Sequence, residues 1–146
     1  SGQASSVLSE NLQTTLYDLH IQHTIKNLQL RLLYTHLSYA NVNAWNEVAT
    51  NKLPSELLGG YLEALYKINI KDYVLEPFLR YEKLNLNHKF DEDDYSYDGA
   101  LDYHITRLGI AYKPISQLTF KADYGIKNNR ENDAVNEFNI GLGFNF

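Results

Sequence analysis

Along most of this chain polar and apolar residues take turns. In residues 135–146, V-N-E-F-N-I-G-L-G-F-N-F, the residues Phe138, Ile140, Leu142, Phe144 and Phe146 share one parity, and Glu137, Asn139, Gly141, Gly143 and Asn145 share the other. Successive side chains of a strand point to opposite faces, so this stretch is predicted to be a strand with one apolar face and one small, polar face. The same period recurs upstream. Residues 12–25 set Tyr17, Leu19, Ile21 and His23 against Asp18, His20, Gln22 and Thr24. After a two-residue turn at Lys26 and Asn27, Leu28, Leu30, Leu32 and Tyr34 oppose Gln29, Arg31, Leu33 and Thr35 as far as about Ala40, which predicts a tight hairpin. Residues 61–70 alternate again, turn at Lys71 and Asp72, and lead into residues 74–87, where Leu75, Pro77, Leu79 and Tyr81 oppose Glu76, Phe78, Arg80 and Glu82. Pro77 has no N–H to give a ladder, so a bulge or weakened pairing is predicted there. Residues 103–113 and 118–127 complete the set, for about seven strands with no domain boundary across residues 1–146.

The connections differ in kind. Lys26–Asn27, Lys71–Asp72 and residues 114–117 are short, whereas residues 41–60 and the acidic residues 87–102 are long and residues 128–134 are intermediate. Residues 41–60 read as a loop with at most one helical turn at Ser55, Glu56, Leu57 and Leu58. Long and short connections therefore fall on opposite ends of the sheet, the arrangement of a transmembrane β-barrel.

Composition narrows the possibilities. Thirteen basic and eighteen acidic residues give a net charge of −5 without a basic run, so a nucleic-acid footprint is absent. With no cysteine, disulfide scaffolds, thiolate metal sites and thiol catalysis are excluded. No run of eighteen apolar residues exists, which excludes a membrane helix but not spanning strands of ~10 residues each. Without a basic-plus-apolar leader the chain is expected to be mature or truncated.

The alternation predicts an all-β, antiparallel transmembrane barrel whose apolar parity meets lipid and whose charged parity meets water. Barrels of this class have an even strand number. Seven strands leave an open edge, which hydrocarbon does not tolerate, so the chain is expected to be the C-terminal part of a larger barrel. Residues 3–9 are too short and too poorly patterned to make a good eighth strand.

Two resemblances sharpen this expectation. Asn139, Gly141, Phe144 and Phe146 resemble the C-terminal assembly signal of bacterial outer-membrane β-barrels, which implies the barrel-assembly machinery and outer-membrane lipid as partners. Gly59-Gly60-Tyr61-Leu62-Glu63-Ala64, Pro77-Phe78-Leu79-Arg80-Tyr81-Glu82, Leu108-Gly109-Ile110-Ala111-Tyr112-Lys113-Pro114, Lys121-Ala122-Asp123-Tyr124 and residues 141–146 together resemble the C-terminal half of the phosphate-selective porin family. That resemblance covers roughly residues 57–146. It implies a channel of about sixteen strands, commonly trimeric, that passes small hydrophilic solutes or ions. No complete phosphate-binding motif is matched.

The candidate pore-lining residues are Arg31, Glu63, Lys67, Arg80, Glu82, Arg107, Lys121 and Asp123, accompanied on the same parity by Asp18, Glu76, Lys113, Lys127 and Glu137. Seven cations against six anions describe a balanced wall rather than a selectivity filter. Tyrosines and phenylalanines near strand ends, among them Tyr39, Tyr103, Tyr112 and Phe120, suit interfacial girdles. The acidic run at residues 91–94 lacks the spacing and glycine of a calcium loop, and the five histidines lack metal spacing. No cofactor, no metal and no catalysis are expected, because nothing local activates a nucleophile. An outer-membrane diffusion channel is thus the leading expectation. The alternatives are a lipocalin-like carrier with its apolar faces inward, and a non-conducting structural or adhesive barrel.

Overall fold

The computed structural model describes residues 12–47, 52–90 and 98–145. They form an antiparallel sheet of eight strands: β1 (Gln13–Ile25), β2 (Leu28–Ala40), β3 (Glu56–Tyr66), β4 (Ile68–Ile70), β5 (Tyr73–Lys89), β6 (Asp102–Ile115), β7 (Leu118–Asn129) and β8 (Ala134–Phe144). The order is β1-β2-β3-β5-β6-β7-β8, with short β4 paired to β5. The sheet is open: β1 and β8 are its edges. Every step along the path is antiparallel, so these two edge strands run in the same direction.

The extra strand has a local cause. Residues 61–70 do not form one strand, because the ladder from β3 to β5 stops at Leu65–Phe78 and resumes, in unchanged register, at Ile68–Leu75. Pro77 lies opposite this gap and has no N–H to close it. The Lys67 N–H instead donates to the Asn27 carbonyl at 2.8 Å, which extends the pairing toward β2. Of the two outcomes expected at Pro77, weakened pairing rather than a bulge is therefore observed.

Residues 41–47 and 52–60 are more ordered than their composition suggested. Val42–Asn46 forms a short helix, α1, and β3 begins at Glu56, so Glu56, Leu57 and Leu58 are strand and not a helical turn. The buried Asn46 side chain explains the order: it donates to the Leu53 carbonyl at 2.9 Å and accepts from the Leu53 N–H at 2.7 Å, closing the loop on itself. The acidic run at residues 91–94 lies outside the described residues, as does Phe146. A single 3₁₀ turn, Gly99–Leu101, leads into β6 with the Asp98 side chain accepting from the Ala100 N–H. The short connections tighten to pairs of residues, with Lys26 and Lys71 in the left-handed region at φ 54° and 41°. Pro114 belongs to β6 rather than to the turn, at a register irregularity between Tyr112 and Ile115.

Register fixes which side chains share a face. One row across the sheet reads Arg31–Glu63–Arg80–Arg107–Gly125–Glu137, and the next toward the short turns reads Gln29–Leu65–Phe78–Gly109–Asp123–Asn139. The opposite face carries Leu30–Ala64–Leu79–Leu108–Tyr124–Phe138 and Leu28–Tyr66 continuing to Pro77–Ile110–Ala122–Ile140. The polar parity is the enclosed one, where Glu63 is 2 % exposed and Asp123 7 %, whereas Leu108 is 64 % and Ile140 78 % exposed.

The apolar face forms a slanted belt. Its boundary toward the long connections lies just past Tyr17 on β1, Tyr81 on β5 and Phe138 on β8, beyond which Lys83, His104, Asn128 and Asn136 take over. Followed through the register, the row of Phe138 meets β1 at His23, six residues below Tyr17, after six strand-to-strand steps. One residue per strand is about 3.3 Å of fall for each ~4.8 Å of lateral spacing, a slant of roughly 35° between the belt and the perpendicular to the strands. At the short-turn end the belt carries a ring cluster in which Tyr73 meets Tyr112 edge-on at 5.4 Å and Tyr112 stacks on Phe120 at 6.2 Å.

Candidate functional site

The enclosed face is built around the row Arg31–Glu63–Arg80–Arg107–Gly125–Glu137. Directly opposed like charges such as Arg80 and Arg107 repel unless something lies between them. Here Glu82, one turn of the pleat further on, reaches both, at 3.8 Å from Arg80 Nη1 and 3.6 Å from Arg107 Nε. Glu63 is bridged on both sides, with Arg31 Nη1 at 3.0 Å on one oxygen and Arg80 Nη2 at 2.6 Å on the other. Arg107 donates from Nη1 to Asp123 at 2.8 Å and from Nη2 to Glu137 at 2.8 Å.

Reaching Glu137 from β6 requires crossing β7, and Gly125 allows it. A Cβ at that position would sit 3.1 Å from Arg107 Nη1, so a larger residue would press on the guanidinium. Asn139 then donates to Asp123 at 3.0 Å, and Lys121 lies 3.8 Å from the other oxygen of the same carboxylate. Gln29 accepts from Arg31 Nη2 at 2.6 Å and donates in turn to Thr24 Oγ1 on β1 at 3.5 Å. Buried ions are tolerable only when paired and hydrogen-bonded, and Glu63 and Asp123 each contact at least two donors.

Of the eight residues singled out from sequence, seven belong to this one network: Arg31, Glu63, Arg80, Glu82, Arg107, Lys121 and Asp123. Lys67 does not. It is exposed at the break between β3 and β4, and among the described residues it makes no ion pair; nearby, Lys113 binds Glu76 at 2.7 Å. Asn139 and Gly141 hold their places on β8, Asn139 on Asp123 and Gly141 opposite Lys121, while Phe144 lies opposite Leu118 and is exposed. Two of the aromatics expected in interfacial girdles lie on the charged face instead: by alternation Tyr39 shares the parity of Arg31, and the Tyr103 ring carries Lys127 Nζ at 3.8 Å from its centroid.

Parity alone did not reveal what Phe78 and Gly109 do. Phe78 is 4 % exposed among charges, and its ring covers Gly109 across the β5–β6 ladder so closely that a Cβ there would lie 2.3 Å from the ring's Cζ and 2.6 Å from Asp123 Cβ. Lys121 Nζ stands 4.4 Å from the ring centroid. An aromatic over a cross-strand glycine, capped by a cation, gives this face a rigid floor between the two halves of the ion network. The signal was present as an apolar residue at a polar-parity position opposite a glycine.

No protein-family profile, curated protein or solved structure matches this chain.

Proposed function

We propose that this sheet is a section of the wall of a bacterial outer-membrane diffusion channel, with lipid against the apolar belt and the ion network facing a water-filled lumen that passes small hydrophilic solutes or ions. The observation that carries this reading is the inversion of the usual burial rule along the middle of the sheet: Leu62, Leu79, Leu108 and Leu142 are exposed while Glu63 and Asp123 are buried. A carrier with an apolar interior would enclose the leucines.

The dimensions of the belt support the same reading. From Tyr73 to Tyr81 on β5 it covers eight residue steps, roughly 27 Å along the strand at about 3.4 Å each, and about 22 Å after projection through the slant. Spanning barrels carry an apolar band about 25 Å tall on strands tilted by about 35–45°. A belt drawn one residue lower on each successive strand is what a flat membrane traces on strands so tilted.

An open sheet leaves unpaired N–H and C=O groups on β1 and β8, each costing several kcal/mol in hydrocarbon, so the wall functions only when closed. Because β1 and β8 run in the same direction, an odd number of additional strands between them keeps every pairing antiparallel. A ring of bare copies would instead require parallel junctions. The resemblance to phosphate-selective porins suggests a sixteen-stranded, trimeric assembly. The described wall itself carries no anion filter, since each cation of the central row has a carboxylate partner.

Planar-bilayer recording on the full-length protein tests the proposal. Stepwise conductance with weak ion selectivity is expected. Stable insertion without conductance would demote the protein to a structural or adhesive barrel, and a water-soluble protein that ignores bilayers would end the reading.

A further inference from the structure

The two ends of the sheet differ in charge. Of the seven cations and six anions on the enclosed parity, Lys67, Lys113 and Glu76 lie at the short-turn end, and the remaining five of each sign balance across the middle rows. Lys113 takes Glu76 at 2.7 Å. The register on either side of the break after β3 sets Lys67 opposite the same carboxylate, yet among the described residues Lys67 makes no ion pair and stays exposed. Lys26 and Lys71 join it from the tight turns, where Asp72 is the one other side-chain carboxylate among the described residues. The left-handed positions show the same contrast. Away from the short turns they are Asn41 and Asn132, a residue type that enters this region readily, and in the short turns they are Lys26 and Lys71. Two open cavities of about 440 and 360 Å³, which share Lys67, Glu76 and Lys113, bring water to these lysines; Lys26 lines the first and Lys71 the second.

The long-connection end is acidic. In a loop-end cluster Glu56 lies 3.1 Å from both Lys89 and His36, and Asp102 binds Lys83 and, at 3.9 Å, Arg130. Lys52 is the remaining permanent cation of that end among the described residues, against Glu47, Asp98, Glu131 and Asp133. The acidic run at residues 91–94 belongs to the connection between β5 and β6 at the same end and deepens the excess. Fixed charge at a pore mouth gathers mobile ions of the opposite sign over about one Debye length, ~10 Å in ~0.1 M salt and ~3 Å in ~1 M. When the long-connection side is positive, anions enter through the basic mouth and cations through the acidic one, so the pore fills with carriers. The opposite polarity draws each ion in through the mouth that repels it, and the pore is depleted.

We propose that Lys26, Lys67 and Lys71 make the short-turn mouth an anion-gathering vestibule and that, set against the acidic mouth, they cause the channel to rectify, with the larger current when the long-connection side is positive. The inference rests on the channel reading above. It gives the two mouths opposite ion preferences around a balanced middle. Lys67, the enclosed-face lysine whose facing carboxylate is taken by Lys113, contributes most.

The test is recording from single channels of the full-length protein in planar bilayers of neutral lipid. Biotin on Ser116→Cys, in a short turn, binds streptavidin from one chamber only and reports the orientation of each channel. In ~0.1 M potassium chloride the current is expected to be about twofold larger with the long-connection side positive than at the reverse voltage, and in ~1 M the two should become equal. Lys67→Gln should lower the ratio, and the triple change Lys26→Gln, Lys67→Gln and Lys71→Gln should abolish the difference. Unchanged conductance in ~1 M salt and heat-modifiable gel migration show that each variant is folded. Equal currents from the wild type at low salt, rectification of the opposite sense, or a ratio that the triple variant retains would each overturn the inference and leave the channel reading standing. Absence of conductance would overturn both.

Discussion

The two faces of this one sheet obey opposite rules. On one, Glu63 is 2 % exposed between two arginines; on the other, two strands across and one residue along, Leu108 is 64 % exposed. In water the first arrangement costs desolvation and the second costs hydrophobic surface, and the proposed membrane placement removes the second cost. The difference teaches that strand parity decides burial in this single-layer sheet, and that the sequence places its best-paired charges on the enclosed side.

The largest expected effect comes from unbalancing the enclosed face. Glu63→Gln leaves Arg31 and Arg80 facing each other without their shared carboxylate and should destabilise the folded protein by about 3–5 kcal/mol in urea titrations in lipid vesicles. A loss below about 1 kcal/mol would mean that the row is solvated and the comparison overstated. Next is the other face: Leu108→Arg should cost about 2–4 kcal/mol in a bilayer, against about 0.5 kcal/mol or less for the same change on a water-exposed sheet. A near-neutral result would place Leu108 in water.

The floor between the two halves of the ion network offers a smaller effect. Gly109→Ala should cost about 1–3 kcal/mol through the Phe78 ring, and pairing it with Phe78→Ala should give much less than the sum of the single losses. The smallest effect is expected at the loop-end cluster, outside the belt. Hydrogen bonds from Lys89 and then His36 hold the Glu56 carboxyl below the ordinary glutamate range, against burial that pushes it up. A lowered folded-state value means that the contribution of Glu56 to stability is full above about pH 4.3 and is lost as pH falls through the lowered value. Lys89→Gln should move that loss to higher pH, read from unfolding midpoints across pH 3–6.

Much of this was legible in the alternation itself. Strand parity assigned Arg31, Glu63, Arg80, Arg107 and Asp123 to one face, because a period of two is a local property of the chain and survives whatever the tertiary context does. What alternation could not give was register. That Arg107 reaches Glu137 across Gly125, or that Phe78 covers Gly109, depends on which residues face each other across strands far apart in sequence. The start of β3 at Glu56 was missed for a related reason: Glu56 looks like a loop residue, and only pairing with Lys89 and Ser38 makes it the end of a strand. Lys67 was expected to line the pore because its parity is right; it stands outside the ion network, at the point where Pro77 opens the ladder. The loop-end cluster went unnoticed because its members, His36, Glu56, Lys83, Lys89, Asp102 and Arg130, come from distant parts of the chain.

Whether the apolar side of the sheet meets lipid can be measured directly. The chain has no cysteine, so single cysteines at Leu108 and at Asn139 provide two reporters on opposite faces of the same neighbourhood. With a fluorophore on each in vesicles of the full-length protein, brominated lipid should quench the Leu108 probe strongly and the Asn139 probe little, while iodide in the buffer should do the reverse. Equal access of iodide to both positions, or lipid quenching confined to Asn139, would contradict the inverted arrangement on which the channel reading stands.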